Sequence, residues 1–169
     1  MLADKLKQFD TALRERHSEF HTSLRPGLSR GISMSSSVGE WFAWRDGQPH
    51  DTTTLFLDTY RFVPLDEARM QARSARSAFL TSPIQAMALA VFARRMLYSW
   101  PLIVDGAGEG YFFSTVSRQV FYKFEGERDR AFSSFEAFLD LLIELATVSA
   151  RTEQARIERE LELIDEYAR

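Results

Sequence analysis

The stretch Trp100-Pro-Leu-Ile-Val-Asp-Gly-Ala-Gly-Glu-Gly-Tyr-Phe-Phe113 decides the fold of this 169-residue chain. A β-branched apolar run stops at Asp105-Gly106, and aromatic residues resume directly after Gly110. Because glycine accepts the backbone angles of a tight turn, the pattern predicts two strands joined as a β-hairpin. Downstream, Arg118-Gln-Val-Phe-Tyr-Lys-Phe124 has the apolar and polar alternation that predicts a third strand.

The periodicity of these strands predicts a sheet with aromatic residues on both faces. Successive strand residues point to opposite sides of a sheet. One face is therefore expected to carry Tyr111, Phe113, Val120 and Tyr122, and the other Phe112 and Phe121. Helices should cover both faces, at least in part.

Other elements follow from apolar spacing and turn residues. Apolar residues at helical spacing from Leu2 to Leu24 predict one amphipathic helix, which Pro26-Gly27 ends. A second amphipathic pattern begins at Ser133 and predicts a last helix that can continue to the chain end. Strands are also expected at 52–57 and 59–63, and helices at 68–79 and 84–98.

The combined pattern predicts the α+β class, with a single antiparallel-rich sheet of about four to six strands covered by helices. The length fits one domain over residues 1–169. The segment 149–169 is expected to be a charged C-terminal helical extension. Hydrophobic residues make up 45% of the chain and include 14 phenylalanines, which is enough for a substantial core.

Composition and charge narrow the class of protein. The chain has no cysteine, which removes disulfides, thiolate metal sites and thiol nucleophiles. Charges occupy the first ten residues, where a signal peptide needs an apolar core. The longest apolar run, 86–93, is far shorter than the roughly 20 residues that span a bilayer. With a net charge of −3 and no general basic field, we expect a cytoplasmic protein without membrane or nucleic-acid partners.

Two histidines are the first candidates for a metal site. His17 and His21 lie one helical turn apart, a spacing that can bind a metal, with His50 or a carboxylate as a third ligand. The pattern is not the His-Glu-x-x-His of zinc proteases, and Glu19 projects away from both histidines. A solvated helix face is the favoured interpretation, so no metal or other cofactor is predicted.

No catalytic motif emerges from the remaining polar residues. Gly106-Ala-Gly-Glu-Gly110 leads into a strand, whereas phosphate loops lead into a helix, so a hairpin turn is favoured. A Gly-x-Ser-x-Gly elbow is missing from the sequence. We therefore predict that the protein is not an enzyme. The carboxylates considered for acid–base chemistry, none of them paired by the sequence, are Asp46, Asp66, Glu67, Asp105 and Glu109.

Tryptophans and arginines allow both structural and binding roles. Trp41, Trp44 and Trp100 occupy apolar positions and are expected to pack a helix against the sheet rather than line a ligand pocket. Five arginines on the predicted helices offer contacts to an anionic partner or are simply solvated. They are Arg69, Arg73, Arg76, Arg94 and Arg95.

Four segments, in this order along the chain, resemble the SUKH (Smi–Knr) superfamily, named for a fungal cell-wall-synthesis regulator and abundant among bacterial immunity proteins. Together they cover about residues 10 to 148, and each contains aromatic or apolar residues that match the family pattern. The segments are Trp41-Phe-Ala-Trp-Arg-Asp-Gly47, Arg61-Phe-Val-Pro-Leu-Asp-Glu-Ala68, Trp100-Pro-Leu-Ile-Val-Asp-Gly-Ala-Gly-Glu-Gly-Tyr111 and Phe132-Ser-Ser-Phe-Glu-Ala-Phe-Leu139.

Two segments depart from the family pattern. Gly31-Ile-Ser-Met-Ser-Ser-Ser-Val38 stands where relatives have a helix and a leu-pro-x-asp turn. The stretch 68–97 is long and helical in pattern, where many relatives have a shorter connection. The departures concern strand register and local structure rather than fold class.

The resemblance implies an immunity protein that neutralises a cognate bacterial protein toxin by stoichiometric binding, without catalytic residues. Such an interface is expected to bury roughly 1,200–2,000 Å². The alternative is a cytosolic regulatory or scaffold protein of the Smi–Knr type. A small-ligand-binding protein or an enzyme subunit is a third possibility.

Two surfaces are candidates for the partner. Loops carry binding residues more often than the packed framework does. The first candidate is an acidic rim near the two Asp-Gly turns, suited to a basic toxin cleft and formed by Asp46, Asp51, Asp105, Glu109, Glu125, Glu127 and Asp129. The second is the narrow apolar stripe of the C-terminal helix, Ile157, Leu161 and Ile164, which also suits a homodimer.

Overall fold

The computed structural model describes residues 1–28, 37–81, 98–124, 130–148 and 152–168, and within these ranges it has six helices and five strands. The helices are α1 (Leu2–Arg16), α2 (Ser18–Ser23), α3 (Ser37–Trp44), α4 (Leu65–Thr81), α5 (Phe135–Thr147) and α6 (Glu153–Tyr167). The strands are β1 (Arg61–Phe62), β2 (Ser99–Val104), β3 (Gly110–Ser114), β4 (Val120–Lys123) and β5 (Arg130–Ala131).

The strands form one antiparallel sheet in the order β1-β2-β3-β4-β5, which confirms the predicted α+β class. The hairpin between β2 and β3 closes with a hydrogen bond of 2.9 Å from the Asp105 amide to the Glu109 carbonyl. Gly110 has a φ of 138°, and a Cβ at this position would lie 2.4 Å from the Ile103 carbonyl oxygen. Only glycine fits this close approach of the two strands without strain.

The register places the aromatic residues as the period-two pattern predicts. Tyr111 pairs with Tyr122 and Phe112 with Phe121 across β3 and β4. The rings of Phe112 and Phe121 stack 5.8 Å apart, and both side chains are buried. On the opposite face Tyr111 packs against Phe138 of α5, with ring centroids 5.4 Å apart. Both faces of the sheet are therefore covered.

The prediction of one helix over residues 2–24 is wrong. The chain leaves the helical conformation at His17, which has φ −133° and ψ 52°, so α1 and α2 are separate. The His17 side chain is held by a tertiary contact, since its Nε2 donates to the Ala146 carbonyl at 3.0 Å. The break allows Phe20 to enter the core, where its ring lies 4.9 Å from that of Phe62.

The predicted strand at 52–57 does not form, although β1 lies within the strand expected at 59–63. Phe56 and Tyr60 instead pair across a tight turn, with amide-to-carbonyl distances of 2.7 and 2.9 Å. Leu57 and Asp58 adopt positive φ angles of 53° and 57° in this turn. Burial of the Phe56 ring among those of Phe9 and Phe62 overrides the β propensity of the threonines.

The expected last helix is two helices. Ser134 caps α5 by accepting from the Ala137 amide, close to the predicted start at Ser133. Val148 has an extended conformation and ends α5, and the Thr152 side chain caps α6 by accepting from the Ala155 amide. Because α6 packs against α5 and its Leu163 and Ile164 are fully buried, the C-terminal segment contributes to the core.

Three sequence predictions concern segments that are only partly described. The helix expected at 68–79 is α4, which begins earlier, at Leu65. The helix expected at 84–98 falls almost entirely on residues 82–97, outside the described ranges, and so does most of the segment 31–38. In the part of the chain that the structure describes, no helix combines the length and apolar character needed to cross a membrane.

Candidate functional site

The four segments that carry the family resemblance meet in one aromatic core. The ring centroid of Trp41, on α3, lies 5.3 Å from that of Phe62 and 5.9 Å from that of Phe138. The ring of Phe42 packs against that of Trp100 in β2, with ring centroids 6.4 Å apart. Each segment therefore contributes a ring to the same core, which confirms the packing role predicted for Trp41 and Trp100, whereas Trp44 packs against Phe9 of α1 and lines a groove there.

Asp46, the first acidic residue of the predicted rim, lies in the protein interior. Its Oδ1 accepts a hydrogen bond of 2.9 Å from the Leu65 amide and so satisfies a free N–H at the start of α4. Burial raises the pKa of the Asp46 carboxyl above its ordinary value, although the bond from Leu65 opposes this. The expectation that Asp46 is exposed is wrong, because its side chain is buried and its Oδ1 is bonded to the start of α4.

Asp105 and Glu109 lie together at the β2–β3 turn. The Asp105 Oδ1 accepts from the Ala107 amide at 2.9 Å and from the Glu109 amide at 2.8 Å. These bonds are the turn-capping role that an aspartate before glycine commonly takes. Both side chains are half-buried, so they offer only part of their surface to a partner.

The structure does not assemble the rest of the rim. Asp51 is exposed in the turn that follows α3. Glu125, Glu127 and Asp129 lie outside the described residues. Within the described residues, only Asp105 and Glu109 of the predicted set are brought together by hydrogen bonding.

The two other carboxylates considered for catalysis are at the start of α4. Glu67 forms a two-pronged pair with Arg61, with Nη–Oε distances of 2.8 and 2.5 Å. The hydrogen bonds from Arg61 lower the pKa of the Glu67 carboxyl. Asp66 is exposed and accepts a hydrogen bond from the Glu67 amide. Glu67 therefore ties β1 to α4 as an ionised group.

The three histidines contact different residues and do not come together in one site. His17 donates to a backbone carbonyl of α5, while the His21 Nε2 lies 3.2 Å from the Asp10 Oδ1. His50 is almost fully exposed and lies 3.9 Å from Glu67. Among the described residues, no group of three or more histidine and acidic side chains is placed to hold a metal ion.

Asp10 organises a polar cluster beside a groove of about 510 Å³ between α1 and α3. Its Oδ1 accepts from Trp44 Nε1 at 2.9 Å and from Arg45 Nη2 at 3.1 Å. Burial raises the pKa of Asp10, but the hydrogen bonds from Trp44 and His21 and the charge of Arg45 outweigh it, so the net shift is downward. Asp10 is thus a stable anion that fixes α1 against α3.

A buried glutamate on α6 is the main polar residue that the sequence analysis missed. Glu160 is only 4% exposed, and its Oε1 accepts from Tyr111 at 2.6 Å and from Tyr60 at 2.8 Å. The Arg156 Nη1 lies 3.9 Å from Glu160 Oε2 and has no hydrogen-bond partner. Burial raises the pKa of Glu160, although the two tyrosine hydrogen bonds and the charge of Arg156 oppose this.

One signal in the sequence pointed to Glu160. It lies three residues before Leu163 and four before Ile164, so it shares their helix face. The expected stripe was instead Ile157, Leu161 and Ile164. In the structure Ile164 is buried against its own chain, and only Ile157 and Leu161 remain exposed as candidates for a dimer contact.

Two of the predicted arginines stack on aromatic rings. The Arg69 Cζ lies 5.8 Å from the ring centroid of Trp100, and the Arg76 Cζ lies 5.0 Å from that of Tyr98. Arg73, on the same helix, is exposed. Arg94 and Arg95 are outside the described residues.

Comparison of the chain with protein-family models gave no match, and comparison with curated proteins gave none either.

Proposed function

We propose that this protein is an immunity protein, which binds a cognate bacterial toxin and neutralises it by stoichiometric protein–protein inhibition. The observation that carries the proposal is the aromatic core around Trp41. The residues that carry the SUKH resemblance, among them Trp41, Phe62 and Trp100, pack a helix on the sheet in that core. They act as a framework, which is what a binding domain without catalytic residues requires.

The placement of the polar groups also supports binding rather than catalysis. Asp46, Glu67 and Glu160 each bond to a partner within the chain: Asp46 to the start of α4, Glu67 to Arg61 of β1, and Glu160 to Tyr111 of β3. A general acid or base needs a proton-transfer path to a substrate. Because these carboxyl groups are committed to contacts within the chain, recognition of a partner is left to the exposed surface.

The direct test is rescue of bacterial growth. If a multidomain toxin is encoded beside the gene for this protein, expression of its toxin domain alone should arrest growth. Co-expression of this chain should restore growth, and the two proteins should copurify as a complex. Failure to rescue, together with failure to bind that toxin domain, contradicts the proposal.

A further inference from the structure

An arginine-rich surface with exposed apolar side chains lies where α4 runs beside β2. Arg69 and Arg76 are two helical turns apart, and they stack on Trp100 of β2 and on Tyr98, which directly precedes β2. Stacking on a ring holds a guanidinium group in place.

The turn between β3 and β4 extends this surface. The Thr115 amide donates to the Tyr98 carbonyl at 2.7 Å, which holds the turn against the beginning of β2. Tyr98 is 42% exposed and Val116 is 66% exposed, and Arg118 is an exposed residue of the same turn. Exposed aromatic and arginine side chains of this kind are enriched in the energetic centres of protein interfaces. We call the surface formed by these side chains the arginine–aromatic surface; it comprises Arg69, Arg73, Arg76, Tyr98, Val116 and Arg118.

The charge of these segments is entirely positive. Residues 68–77 contain three arginines and no acidic residue, and residues 111–123 contain Arg118 and Lys123 and no acidic residue. The chain as a whole has a net charge of −3, so this local excess departs from the rest of the molecule. Arginine forks bind carboxylates through paired hydrogen bonds, which makes a carboxylate-rich protein surface the complementary partner.

We propose that the arginine–aromatic surface is the partner-binding face and that it binds an acidic surface of the toxin. This inference rests on the proposed immunity function, and it places the contact with the toxin on this surface rather than on the acidic turn residues. A protein partner fits better than a nucleic acid because the exposed aromatic and apolar side chains of Tyr98 and Val116 stand among the arginines.

The experiment compares charge variants in their binding to the purified toxin domain encoded by the neighbouring gene. In the variant R73E/R118E both exposed arginines become acidic, and we expect affinity to fall about tenfold or more, mainly through slower association. The variant R73K/R118K keeps the charge and should bind within about threefold of wild type, because only the fork geometry is lost. The matched control D51K changes an exposed acidic residue elsewhere and should bind within about twofold of wild type.

Two further probes separate the possible outcomes. Poly-L-glutamate should bind the wild type and not R73E/R118E, which tests the surface even if the neighbouring toxin does not bind and the proposed function fails. The inference is overturned if R73E/R118E binds the toxin like wild type, or if D51K is the variant that weakens binding. It is also overturned if a double-stranded oligonucleotide binds this surface more tightly than poly-L-glutamate does.

Discussion

Glu160 is an acidic side chain held inside the protein by two tyrosine hydroxyls. Its carboxylate joins α6 to the sheet through Tyr60 and Tyr111, and Arg156 of α6 reaches the Thr59 hydroxyl at 2.8 Å. Burying a carboxyl group disfavours its charged form, and each hydrogen bond offsets part of that cost. The burial outweighs the hydrogen bonds, since the pKa of Glu160 is raised.

The raised pKa predicts a definite dependence of stability on pH. The folded state binds the Glu160 proton more tightly than the unfolded state, so the proton stabilises the fold below the unfolded pKa of about 4.3. This contribution amounts to about 1.4 kcal/mol for each pKa unit between the unfolded-state and folded-state values. It is lost as pH rises through the folded-state pKa.

We therefore expect the stability of the wild type relative to E160Q to fall as pH rises above about 4.3 and then to level off. Urea unfolding of both proteins from pH 4 to 8 measures this difference, and E162Q, on an exposed residue of the same helix, is the control. The tyrosines around Glu160 do not interfere, since their pKa values are raised, that of Tyr122 to about 12. A difference that grows with pH, or that does not change, contradicts this account of Glu160.

Helix ends in this protein are fixed by side chains from outside the helix as well as by local caps. Ser134 and Thr152 cap α5 and α6 from adjacent positions, and a local motif of this kind can be found in a sequence. Asp46 caps α4 from 19 residues upstream. Its position next to Gly47 predicted a turn, but no local pattern shows that the side chain reaches another helix.

The cap on α4 leads to a prediction for that element. In D46A the Leu65 amide loses its buried acceptor, so unfolding free energy should fall by about 1–3 kcal/mol. D46N keeps an oxygen acceptor and should lose less than D46A. Chemical denaturation measures both, with D51A as a control expected to remain within about 0.5 kcal/mol of wild type. Equal stability of D46A and wild type would show that the bond to Leu65 does not hold α4.

Much of the fold could be predicted from residues that are close together in the sequence. The rest depends on contacts between residues that are distant in the sequence. The β2–β3 hairpin was predictable because Asp105 and Gly110 specify the turn within one short segment. The break at His17 was not predictable, since it depends on Ala146, which is distant in sequence. The same holds for the candidate site, where the Arg76–Tyr98 pair forms only after α4 has packed against the sheet.

Contacts between aromatic rings and hydrogen bonds to buried carboxyl groups hold the framework of the whole molecule together. This framework carries a basic, partly apolar face, although the chain has a net charge of −3. We propose that the exposed face is the part that selects a partner. A protein of this design is expected to act by occupying its target, with one molecule needed for each target molecule.

Titration of toxin activity with this protein tests that claim most directly. A fixed concentration of the purified toxin domain, well above the dissociation constant of the complex, is assayed while this protein is added in steps. We predict a linear loss of activity that reaches zero at one molecule of this protein per toxin molecule. Full toxin activity in the presence of a large molar excess, or complete loss at a small fraction of one equivalent, would contradict stoichiometric inhibition.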